Sequence, residues 1–153
     1  MENLNDENYM RLALDEARKA YKRDEVPVGA VIVKGEKIIA KAFNRRQTCR
    51  QATHHAEILA IEKACKKIKD FRLSGCEIFV TMEPCPMCMG AILNARIEKL
   101  IFGAKINKEG ALTAEEINER AMLNFKTEIK SGVLENECAE LVSSYFKTKR
   151  IQN

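Results

Sequence analysis

Two short stretches of this chain carry residues whose types and spacing could do chemistry. One is His55-Ala56-Glu57; the other is Pro84-Cys85-Pro86-Met87-Cys88. An imidazole and two thiolates are ligands that zinc accepts, and three protein ligands leave the fourth tetrahedral position open to water. Zinc held in this way lowers the pKa of bound water to about 7. Glu57 stands two places after His55, close enough to such a water to take its proton and pass it on. His55, Cys85 and Cys88 are therefore the candidate metal ligands, and Glu57 is the candidate proton shuttle.

Blander readings exist for each piece. A lone Cys-x-x-Cys is more often a structural zinc site or a redox pair, and a lone histidine is usually a core or surface residue. The upstream His-x-Glu separates this pattern from a redox motif, which needs neither residue. Of the adjacent His54 and His55, only His55 has a glutamate two places later. Cys49, Cys65, Cys76 and Cys138 have no such partners and read as buried or incidental thiols.

Elements with the periodicity of an alternating α/β domain must position these residues. Apolar Met10, Ala13, Leu14, Ala17, Ala20 and Tyr21 share one helical face, which predicts a helix over residues 6–22. The β-branched runs 26–33 and 37–43 flank Lys34-Gly35-Glu36 and predict a hairpin. A polar loop over 44–53 precedes a helix over 54–68, a strand over 76–82 and a helix over 86–95. A strand over 100–103, a short helix over 113–122, a strand over 125–130 and a terminal helix over 135–149 complete the series. Both reactive stretches thus open helices, where backbone N–H groups and the positive dipole end favour thiolate over thiol. The expected architecture is a mixed five-stranded sheet with helices on both faces.

Composition sets outer bounds. The 153 residues are 46% hydrophobic and 31% charged, the profile of one globular domain spanning residues 1–153. Twenty-six basic against 22 acidic residues give a net charge of +4, which permits a nucleic-acid partner without demanding one. Seven glycines and three prolines exclude a collagen-like or low-complexity chain. The start has no basic region followed by an apolar stretch, so no secretory signal is read, and no apolar window is long enough for a membrane span. The six cysteines then read as thiols or metal ligands in a cytoplasmic protein, not as a disulfide framework.

The combined pattern His-x-Glu … Pro-Cys-x-x-Cys is the known signature of zinc nucleobase deaminases, and the shuttle role given to Glu57 follows that signature. More of the chain fits the same family. Glu25-Val26-Pro27-Val28-Gly29-Ala30-Val31, Asn44-Arg45, Phe71-Arg72-Leu73, the run from Thr81 to Ile92, Ala95-Arg96-Ile97 and Phe102-Gly103-Ala104 all resemble segments of the bacterial tRNA adenosine deaminases. So do Gly132-Val133-Leu134, Glu137-Cys138-Ala139-Glu140-Leu141 and Tyr145-Phe146 near the end. The resemblance covers residues 8–105 and 126–150. It implies the three-layer cytidine deaminase-like fold and hydrolytic conversion of adenosine to inosine at the wobble position of a tRNA anticodon. It further implies zinc on His55, Cys85 and Cys88, a hydrogen bond from Asn44 to the flipped base, and packing of Val28 against it. Ala56 and Pro84 would line the pocket, and two copies would form a homodimer that completes each pocket.

The chain departs from the family between its matched blocks. Where an acidic or amide ribose contact is expected, the chain has Ile106, unless a one-residue shift gives that role to Asn107. Asn124-Phe125 stands in place of Asn-His, and Gln51-Ala52-Thr53-His54 in place of Asp-Pro-Thr-Ala. An alternative therefore keeps the zinc chemistry but acts on a free base or nucleoside: guanine, cytosine or adenosine. A third reading, a non-catalytic zinc-stabilised subunit, is opposed by Glu57, for which a structural metal has no use. Arg45, Arg46 and Arg50, with Lys147, Lys149 and Arg150, form a phosphate-binding footprint if they share a face. Without the resemblance, Asn44 reads as a loop-capping amide, and Tyr145-Phe146 could stack on bases or sit in the core.

Overall fold

Apolar residues fill both sides of the central strands, so the sheet forms the middle of three layers. The computed structural model describes residues 2–106, 109–121 and 124–152. In chain order these form α1 (Glu2–Lys22), β1 (Gly29–Lys34), β2 (Lys37–Phe43), α2 (Arg46–Cys49), α3 (Ala56–Ile68) and β3 (Cys76–Met82). Then follow α4 (Pro86–Asn94), β4 (Lys99–Ala104), α5 (Ala114–Arg120), β5 (Glu128–Ser131) and α6 (Glu135–Gln152). The strands make one five-stranded sheet in the order β2-β1-β3-β4-β5. β1 is antiparallel to β2 and β3, whereas β3 with β4 and β4 with β5 are parallel.

Side-chain alternation along the strands divides the core in two. Ala30, Ile32, Ile78, Val80, Leu100 and Phe102 face Ala56, Ala60 and Ala64 of α3 and Met89 and Ile92 of α4. Val31, Val33, Phe79 and Ile101 face Met10, Ala13 and Leu14 of α1 and Cys138 of α6. Two glycines let helices approach the sheet closely. A Cβ on Gly29 would strike the Ala13 carbonyl of α1, and one on Gly103 would strike Sγ of Cys138. No helix among the described residues is long and apolar enough to cross a membrane.

The element order matches expectation, with informative differences. β1 begins at Gly29 instead of residue 26, because Pro27 has no N–H for a ladder and the Val28 amide bonds locally to the Val26 carbonyl at 2.9 Å. The hairpin turn narrows to Gly35-Glu36, with Gly35 at φ +63 and Lys34 paired to Lys37. The loop expected over 44–53 contains α2. The short helix ends at Arg120, and Met122 lies outside the described residues. β5 starts at Glu128; ahead of it, the Asn118 side chain holds Thr127 by its N–H at 3.0 Å and its carbonyl at 2.9 Å.

Candidate active site

Two helix starts deliver the reactive residues. His55 is the N-cap of α3 and Cys85 the N-cap of α4, both with extended backbone and neither spending its side chain on a cap hydrogen bond. Pro86 suits the first position of α4, where a missing N–H costs nothing. Within the first turn of each helix stand Glu57 and Cys88, both buried. His55 Nδ1 lies 3.6 Å from Sγ of Cys85 and 3.5 Å from Sγ of Cys88. Ligand atoms of His55, Cys85 and Cys88 all fall within 4.8 Å of one another. His54, next in the chain, stands outside that cluster.

The electrostatics of the cluster are those of groups sharing too few protons. The Cys88 thiol and His55 hold Cys85 down to about 4, against the cost of burial, while hydrogen bonding to Cys85 and burial push Cys88 upward. Cys85 in turn raises His55. Burial raises the Glu57 carboxyl from 4.5 to about 7. Glu57 is 3% exposed, and its Oε1 has no hydrogen-bond partner among the described residues. An unpartnered buried carboxylate oxygen is costly and calls for a water, ion or ligand proton. Nitrogen and thiolate donors at this spacing, with an orphaned carboxylate beside them, fit a metal ion that keeps a position open.

A cavity of about 270 Å³ opens over this cluster. His55, Ala56, Glu57 and Cys85 form one side, and Val26, Val28 and Asn44 another. Val28, Asn44 and Ala56 thus all line the cavity. Pro84 is buried and is not among the lining residues; its neighbours Glu83 and Cys85 are. The Asn44 amide is committed to the fold, donating to the Val26 carbonyl at 3.1 Å and accepting from the Arg46 N–H at 3.2 Å. Its loop-capping role is therefore real. One Nδ2 hydrogen and further acceptor capacity remain for a ligand. Ile106 lines the cavity as an apolar wall, and Asn107 lies outside the described residues.

Met82, Glu83 and Val142 also line the cavity, a role that no spacing in the sequence marks. Tyr145 and Phe146, adjacent and alike in type, are split by the structure. Tyr145 is 5% exposed, packs edge-on against Tyr21 and donates to the Asp24 carbonyl at 3.1 Å. Phe146 is 43% exposed and lines the cavity. The basic residues divide likewise. Lys149 pairs with Asp24 at 2.6 Å, whereas Arg46 lines both this cavity and an adjoining one of about 260 Å³ that Arg50 also lines. Glu25, 1% exposed, organises that second cavity by accepting from Gln47 N at 3.1 Å and from Thr48 N and Oγ1 at 2.6 Å.

Comparison with known proteins agrees with the fold described above. The model of the MafB19-like deaminase family matches residues 4–138. A tRNA-specific adenosine deaminase of Bacillus subtilis is 44% identical over 146 residues, covering 95% of this chain and 91% of the relative. Its counterpart in Aquifex aeolicus is 43% identical, covering 94% and 95%. A solved structure from studies of A-to-I editing by tRNA:A34 deaminases at the wobble position of transfer RNA superposes with a TM-score of 0.82 at 39% identity. That match covers 88% of this chain and 98% of the other.

Proposed function

This chain belongs to the tRNA-specific adenosine deaminase family, and we propose that residues 1–153 act as one zinc-dependent domain converting adenosine to inosine at the wobble position of a tRNA anticodon. The observation that carries this reading is Glu57. Its buried, unpartnered Oε1 stands beside a His-Cys-Cys cluster at the floor of a cavity.

His55 through Nδ1, and Cys85 and Cys88 through Sγ, would hold the zinc ion. When bound there, zinc supplies a Lewis acid that makes water a competent nucleophile at neutral pH. Glu57 takes one proton of the attacking water at Oε1 and passes it to the purine ring nitrogen, then carries the proton left on the added hydroxyl to the exocyclic amine, which leaves as ammonia. Adenosine and water thereby become inosine and ammonia. In the metal-free chain burial raises this carboxyl, the direction that suits a group which must both take and return a proton near neutral pH. Val28 and Ala56 give the base apolar walls, and Asn44 offers its remaining amide hydrogen to the base edge. Phe146, exposed at the rim, offers a ring on which a neighbouring base can stack. Arg46 and Arg50 supply positive charge for the phosphates beside it.

A homodimer working in the cytoplasm belongs to the same proposal. Its cytoplasmic part is supported by six cysteines that are all free thiols.

One feature favours a second reading, deamination of a free base or nucleoside: the apolar Ile106 stands where the resemblance implies a polar ribose contact. Salt separates the two. Activity on an anticodon stem-loop should fall steeply between 50 and 200 mM salt (approximate working limits) because phosphate contacts release counterions, whereas activity on adenosine or guanine should barely change. Salt-insensitive turnover of a free base, with none of the stem-loop, would replace the proposed substrate.

A further inference from the structure

Glu83 stands between β3 and the Pro84-Cys85 step, and its contacts reach well beyond that step. Its own N–H donates to the Ala104 carbonyl at 2.8 Å, extending the β3–β4 pairing. Its side chain is buried at 6% exposure and makes two bonds in different directions. Oε1 accepts from the Ile106 N–H at 3.0 Å, and Oε2 accepts from the Ala114 N–H at 2.8 Å. One carboxylate therefore holds Ile106 and Ala114 together, within the stretch where the chain departs most from its family pattern.

The two residues so held matter differently. Ile106 is a wall of the active cavity, as is Glu83 itself. Ala114 is fully buried in the core on the α3–α4 side of the sheet and opens α5. Thr113 completes that helix start by accepting from the Glu116 N–H at 3.1 Å. The two backbone donors reach different oxygens of one buried side chain, so an acceptor is needed in each of the two positions. An ionised carboxylate meets that need, and a glutamine does not. Its single carbonyl can satisfy one amide, while its NH₂ faces the other donor.

We propose that Glu83 is a positioning residue for substrate fit: its carboxylate sets the Ile106 wall of the cavity and the start of α5, without touching the reacting atoms. The kinetic part of this proposal rests on the deaminase reading above. The latch itself can be read independently of any substrate.

The test uses zinc-loaded wild type, Glu83→Gln and Glu83→Asp, with zinc content, amide hydrogen exchange at Ile106 and Ala114, and steady-state kinetics on an anticodon stem-loop. For Glu83→Gln the expectation is exchange about tenfold faster at one or both amides, unchanged zinc stoichiometry, and KM about tenfold higher with kcat within about threefold. Glu83→Asp keeps two acceptors on a shorter arm and should recover part of the KM loss. Unchanged exchange, or a fall in kcat at constant KM, or activity lost in step with zinc, would overturn the proposal. If Glu83→Gln does not fold, Ile106→Ala carries the same KM expectation with the carboxylate's bonds intact, and an unchanged KM there overturns it. A wild type that forms no inosine, while the exchange result holds, sinks the proposed substrate and leaves the latch supported.

Discussion

Sγ of Cys88 lies 3.5 Å from Nδ1 of His55, although 33 residues separate them in the chain. Two parallel decisions of the backbone produce that meeting. Each of α3 and α4 starts at a residue whose side chain is left out of the helix cap and turned toward the other. With Cys85 they form a group of donors that shares protons poorly, which is the electrostatic condition for exchanging protons for a metal ion.

Removing the metal should expose that condition as thiol reactivity. In the metal-free protein Cys85 is held to about 4 by the Cys88 thiol and His55, so it is thiolate at pH 6, whereas burial pushes Cys76 and Cys138 upward. Alkylation at pH 6 followed by peptide mapping should label Cys85 ahead of Cys76 and Cys138, and reloading with zinc should protect it. Equal labelling with and without zinc would place the metal elsewhere.

Glu57 should trade stability for chemistry. Burial raises its folded pKa from 4.5 to about 7, so folding disfavours its charged form and stability is lost as pH rises from 4.5 through 7. Metal-free Glu57→Gln should therefore melt higher than metal-free wild type at pH 8, with the difference vanishing near pH 4. The zinc-loaded variant should lose about 10²–10⁴-fold in kcat, the usual contribution of a general acid–base group. A variant with lower melting temperature at pH 8 would contradict the burial argument.

The parts legible in the sequence share a physical origin: they repeat locally. The periodicity of α1 and α3, the alternation of β1 to β4 and the paired helix starts of the His and Cys motifs can all be read within a few residues. What escaped was long-range. The N-cap of α2, Arg45, lends no side-chain bond; Asn44 accepts from the Arg46 N–H, and the next two N–H groups bond to Glu25, 22 and 23 residues upstream. The role of Glu83 is hidden likewise, since the amides it binds lie 23 and 31 residues downstream. Tyr145 and Phe146 were indistinguishable by type, and only the packing of Tyr21 and Asp24 assigns the first to the core and the second to the cavity. The resemblance, not the spacing, pointed to Val28, Asn44 and Ala56.

Acid should loosen the loop that carries Arg46. Burial opposes ionisation of Glu25, but hydrogen bonds from Thr48 and Gln47 outweigh it and hold the carboxyl below the ordinary 4.5. Its contribution is complete above that value and is lost as pH falls through the lower, folded-state value. Glu25→Gln should cost about 1–3 kcal/mol at pH 7 and much less in acid, read by denaturant unfolding at both pH values. A pH-independent loss would show that shape, not charge, is what the loop requires.

Phe146 and Tyr145 should separate binding from stability. Phe146→Ala removes an exposed ring, so melting should hardly move while KM for a stem-loop rises by the equivalent of about 1–3 kcal/mol of base stacking. Tyr145→Ala empties a buried site and should cost about 3–5 kcal/mol of stability. The opposite assignment of effects would put Phe146 in the core and remove it from the substrate path.

The central claim is tested most directly by incubating the zinc-loaded protein with an anticodon stem-loop bearing adenosine at the wobble position and measuring inosine by mass spectrometry of the nucleosides. Wild type should form inosine at that position alone, and Glu57→Ala, with its zinc retained, should form essentially none. Inosine produced equally by Glu57→Ala would contradict the mechanism, and no inosine from zinc-loaded wild type would contradict the substrate.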